Sequence, residues 1–139
     1  MEVLKWLRSE GCPWDWRSCE RAARGGHLEI LKWLRSEGCP FTEYTWEEAA
    51  EGGHLKVLKW LRTKDCPWDE SACSGAARGG HLEALKWLRS EGCPWNEWTC
   101  EEAAREWNRN VLRWAMDNDC PCDESNEDVR MALDSLGLP

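Results

Sequence analysis

The chain is short of positive charge. Its 18 lysines and arginines face 26 aspartates and glutamates, for a formal net charge of −8. An acidic chain repels nucleic-acid backbones and anionic membrane surfaces, so neither is expected as a partner. No apolar run approaches the roughly 18 residues of a membrane span. No charged, apolar and then small-residue leader opens the sequence, which makes the cytosol or nucleus the expected compartment. The glycine pairs lack the Lys and Ser/Thr that a phosphate-binding loop requires. What is present fits a folded protein. The chain has 139 residues, of which 32% are charged and 42% hydrophobic, the size and balance of one ordinary domain.

Cysteine is plentiful, with nine residues, an odd count. Five of them (Cys12, Cys39, Cys66, Cys93, Cys120) recur at one position of a repeat. Stacked helices lie about 8–10 Å apart. A disulfide needs Cα atoms within about 7 Å, so neighbours in that column are not expected to bond. The cysteines are read as small, buried, apolar side chains in a reducing compartment.

The repeat decides the fold. Leu4-Lys5-Trp6 recurs at Leu31, Leu58 and Leu85, and as Leu112-Arg113-Trp114, on a step of 27 residues. Ala22-Ala23 recurs at Ala49, Ala76 and Ala103, and Gly25-Gly26-His27 at Gly52 and Gly79. After each Cys-Pro comes Asp15, Thr42, Asp69, Asn96 or Asp123, all good helix N-caps. The first helix of a unit then runs to the glycine pair, which supplies a left-handed stop. A second helix runs from about His27 to Glu37, and Gly38 and Pro40 end it. On the wheel, Cys19, Ala22 and Ala23 share one side of the first helix. Leu28, Ile30, Leu31 and Leu34 make a broad arc on the second, with Trp33 at its edge. One such hairpin cannot bury that surface alone, but a stack can. A tryptophan column of the Trp33 type is expected in the core, each burial worth roughly 2–3 kcal/mol. Met131, Leu133, Leu136 and Leu138 are expected on one closing helix.

The run from Ala22 to Lys32 resembles the ankyrin repeat, whose consensus there is close to A-A-R-N-G-H-L-E-V-V-K. The resemblance covers essentially the whole chain. It departs in length, since an ankyrin repeat has about 33 residues. The missing residues fall where ankyrins place a β-hairpin finger. Short repeats rich in Trp and Cys-Pro resemble those abundant in large DNA viruses and in some algae and oomycetes. For a viral source, the host-cell cytosol is the implied location. The resemblance implies an all-α, ankyrin-like helical solenoid of about five stacked helix-turn-helix repeats, with reduced or absent fingers. A single domain over 1–139 is expected: a partial repeat at 1–14, repeats at 15–41, 42–68, 69–95 and 96–122, and a C-terminal cap at 123–139. The resemblance also implies a scaffold that binds proteins on the first-helix side.

Catalysis is not expected. An active site gathers different groups at one point, whereas His27, His54 and His81 are spread along one repeat column. They are read as structural hydrogen-bonding groups, and no cofactor is expected. Metal binding or redox response through the repeated Cys/His positions is the alternative. Strong zinc motifs pair two cysteines at short spacing, and here Trp46 and Asn108 interrupt the Cys and His columns.

The informative feature is variation. The buried columns barely change, while the outward face of the first helix changes in every unit. It carries Trp16, Arg17, Arg21 and Arg24, then Tyr44, Glu48 and Glu51, then Ser71, Gly75 and Arg78, then Trp98, Glu102 and Arg105. Fold maintenance is not expected to produce such change, and a partner surface is. Exposed aromatics are enriched at interface hot spots. An unidentified protein, met by a monomer and carrying both charge signs, is therefore the expected partner. Drift on a solvated face and a mere spacer are the plainer readings.

Overall fold

A computed structural model describes residues 16–137. The expected partial repeat at 1–14, Asp15, Leu138 and the side chain of Trp16 lie outside the described residues. The described part is all-helical, without strands, so no β-finger is seen among the described residues. Nine short helices follow in order. They are α1 (Trp16–Arg24), α2 (Leu28–Ser36), α3 (Glu43–Glu51), α4 (Leu55–Thr63), α5 (Glu70–Gly79), α6 (Leu82–Ser90), α7 (Glu97–Arg105), α8 (Arg109–Asp117) and α9 (Glu127–Leu136).

The boundaries have local causes. Thr42 accepts a hydrogen bond from the Tyr44 N–H and forms a capping box with Thr45. Asp69 and Asn96 cap α5 and α7 by accepting from the N–H groups of Ser71 and Trp98. Asp123 does not cap, contrary to expectation. Its carboxylate is taken by the N–H and hydroxyl of Ser125 in a turn, and Asn126 caps α9 instead, accepting from the Val129 N–H.

Helices α1, α3, α5, α7 and α9 pack directly on one another in a single row, and each of α2, α4, α6 and α8 packs on the first helix of its own pair. Neighbouring second helices do not come together in this way, so the first-helix side is the tighter one. Alanine explains the close row: Ala23, Ala49, Ala50, Ala76, Ala77 and Ala103 are fully buried. Gly75 and Gly79 allow close approach, since a Cβ at either would lie within 2.6 Å of the carbonyl oxygen of Glu47 or Glu51. Leu31, Leu58, Leu85 and Leu112 fill the layer between first and second helices. Trp33, Trp60, Trp87 and Trp114 are only half-buried at the margin of this core. Trp60 meets Phe41 edge-on at 5.7 Å, and Trp114 meets Trp95 at 5.8 Å. Among the described residues the fully buried tryptophan is Trp46 in α3, against Trp68 at 4.8 Å, with its indole N–H donating to the Cys66 carbonyl. Met131, Leu133 and Leu136 share the closing helix α9 as expected; its inward face is Val129, Ala132 and Leu133, with Leu136 packed beside them, while Met131 points outward.

Two left-handed columns look alike and differ in tolerance. Gly38 and Gly92 have open space where a Cβ would stand, and Asp65 and Asp119 take the same positive φ at the equivalent turns. At Gly26 and Gly53 a Cβ would lie 2.5 Å from the imidazole of His54 or His81, which the next pair lays over the glycine. His54 Nε2–H also donates to the Arg24 carbonyl at 2.8 Å. For His54 this is the structural hydrogen-bonding role expected of the histidines. Asn108 does the same over Gly80, donating to the Ala77 carbonyl at 2.7 Å.

The cysteine reading needs correction. Cys19–Cys39 and Cys100–Cys122 are disulfides, with Cα separations of 6.9 and 5.5 Å. These bonds do not run along the column but diagonally, from a first helix to the turn before the next one. Cys73, Cys93 and Cys120 are buried free thiols, and Cys66 is a half-buried one.

Candidate docking face

The expected site residues whose side chains are described lie on the first helices of the row, and the structure divides them in two. The charged members form a ladder between helices. Arg24 reaches Glu48 at 3.1 Å and Glu51 at 2.9 Å. Arg78 reaches Glu47 and Glu51 at 3.1 Å and Glu102 at 3.0 Å. Arg105 holds Glu102 at 2.9 Å and approaches Asp128 at 3.9 Å. The Glu102 hydrogen bond is the largest influence raising the Arg78 guanidinium above its ordinary range. Burial pushes the Glu47 carboxyl up, against the opposing pull of Arg78. For these positions the expectation that fold maintenance leaves the variation unexplained is corrected. Where neighbouring helices meet in the ladder, they bring opposite signs together. Arg17 and Arg21 lie exposed on α1.

The uncharged members do something else. Tyr44 and Trp98 are 55% and 53% exposed, on helices either side of α5. Between them α5 carries Ser71, Ser74 and Gly75 where its neighbours carry larger side chains. The result is a groove of about 410 Å³ walled by the two aromatics and floored by the serines. Glu47, Asp69, Glu101 and Glu102 line it with Arg78 and Arg105. Glu47, Asp69, Ser74 and Glu101 were missed from sequence. Their signal was the run of small residues from Ser71 to Ala77, which makes α5 the thinnest first helix.

No known protein family and no curated protein matches the chain.

Among the described residues no three His, Cys, Asp or Glu side chains gather as a metal-ligand group. A thiolate is the metal-binding form of cysteine. Burial pushes the Cys66 thiol up and that of Cys120 to about 11. Cys73 is held protonated by a hydrogen bond with Cys93 and by burial. Among the described residues no helix is long and apolar enough to cross a membrane.

Proposed function

We propose that the chain is an ankyrin-like solenoid of stacked helix pairs that binds a partner protein on the first-helix face and catalyses no reaction. One observation carries this reading: two large aromatic side chains stand more than half exposed on either side of a groove. Exposed aromatic surface of this kind is a common anchor for partners. The ladder beneath supports it, because it holds the walls in register without using Tyr44 or Trp98. The proposed scaffold acts as a monomer, without cofactor, and does not bind nucleic acid or membrane.

The test is affinity capture followed by mass spectrometry, with Tyr44→Ala/Trp98→Ala as control. A true partner is lost from the double variant while its melting temperature stays unchanged. A partner retained at full affinity removes this face from the proposal.

The disulfides favour a second reading, a redox-responsive stack. Cys73 and Cys93 stand at the same two repeat positions as Cys19 and Cys39 but remain thiols. Disulfides persist in oxidising compartments, which also weighs against the expected cytosol or nucleus. Equal melting temperatures in reduced and oxidised glutathione would remove this reading.

A further inference from the structure

The groove's charges are unevenly spent. Both guanidinium groups on its rim are already held by carboxylates of the chain: Arg78 by three, and Arg105 by Glu102. The carboxylates are not all matched. Glu101 is half-buried in the groove lining, and among the described residues no hydrogen bond or ion pair reaches its side chain. It lies one helical turn from Trp98, and residues three apart share a helix face. An exposed indole and a bare carboxylate therefore stand together on one rim. Aromatic faces attract cations, arginine above all, and a carboxylate completes the attraction. The open groove leaves its aromatic walls more than half in water, so it suits a side chain of a larger partner better than an enclosed small molecule. A second copy of the chain would bring the same acidic face and be repelled.

We infer that the groove receives a basic, extended segment of the partner protein, with an arginine or lysine lying over Ser71 between Tyr44 and Trp98 and its charged end on Glu101. The inference rests on the docking-face reading and gives it a partner chemistry. Association is then salt-sensitive.

A displayed library of random dodecapeptides, panned on the chain, tests it. Peptides are subtracted on Ser71→Trp, which fills the groove without changing net charge. The fold accepts an aromatic at that position in two neighbouring helices, as Tyr44 and Trp98. Tyr44→Ala/Trp98→Ala serves as a second subtraction should Ser71→Trp not fold. The expected result is a set of groove-dependent peptides enriched in Arg and Lys. Glu101→Lys should weaken them by roughly tenfold, and added salt should weaken them further. Groove-dependent peptides that are neutral or acidic and indifferent to Glu101→Lys would overturn the basic partner while leaving the docking face. If no peptide distinguishes the wild type from both filled and stripped grooves, the docking face falls as well.

Discussion

Helices α3 and α5 occupy the same place in successive pairs and agree at few positions beyond their two alanines. Tyr44 faces Ser71, Trp46 faces Cys73, Glu47 faces Ser74, Glu48 faces Gly75 and Glu51 faces Arg78, while Ala49-Ala50 matches Ala76-Ala77. The alanines set how closely the row packs, so they stay. The other positions change together. Bulk removed from α5 opens the groove, and the reversed charge at Arg78 ties α5 to the glutamates of both neighbours. One backbone scaffold thus serves as a wall in one pair and a floor in the next.

The largest break in this comparison is at Trp46. It fills the place that Cys73 holds in α5, and both are fully buried. Trp46→Ala removes an indole from a close-packed site and should cost about 3–5 kcal/mol. Cys73→Ala removes one sulfur and should cost about 1 kcal/mol. Urea denaturation of the two variants measures the difference. Equal losses would mean that the Trp46 site collapses around the gap.

Arg78 comes next. Arg78→Met keeps much of the stem but leaves Glu47, Glu51 and Glu102 without their shared cation, at a cost of roughly 1–2 kcal/mol. Arg78→Glu gives α5 the sign that α3 carries at Glu51 and sets four carboxylates together. It should be the worse of the two, by roughly another 1 kcal/mol at low salt. Added salt should narrow the gap between them, as read by thermal melts across ionic strength. A gap independent of salt would show that lost packing, not charge, sets the cost.

What could be read in advance was whatever one unit determines by itself. Thr42, Asp69 and Asn96 cap helices because each has its acceptor two residues before the N–H it satisfies. The glycine stops and the alanine and leucine columns were equally local. Asp123 misled because it makes the same bond to the N–H two residues on, from Ser125, yet the chain there forms a turn and the helix starts only at Glu127, behind Asn126. The diagonal disulfides, the ladder and the groove depend on which side chains meet between pairs. The ladder had a visible trace, since Arg24, Glu51 and Arg78 alternate in sign at one repeat position. The groove had none within a single unit. It exists because Ser71 is small while Tyr44 and Trp98, on the flanking helices, are not.

Glu47 gives the smallest effect and the sharpest sign. Its carboxylate is only 15% exposed, although Arg78 lies 3.1 Å away. Burial outweighs that attraction and lifts its pKa above the usual 4.5. The folded chain therefore holds the Glu47 proton to higher pH than the unfolded chain does. Its contribution is fully favourable below about the ordinary glutamate value and is lost as pH rises through the lifted one. Glu47→Gln keeps an acceptor for Arg78 and cannot ionise, much as Ser74 is neutral in α5. Its stability relative to wild type should rise between pH 4 and pH 7, by less than about 1 kcal/mol. Thermal melts at the two pH values give the answer. A variant that instead loses ground as pH rises would show that the Arg78 pair outweighs burial, and that α3 needs its charge where α5 does without one.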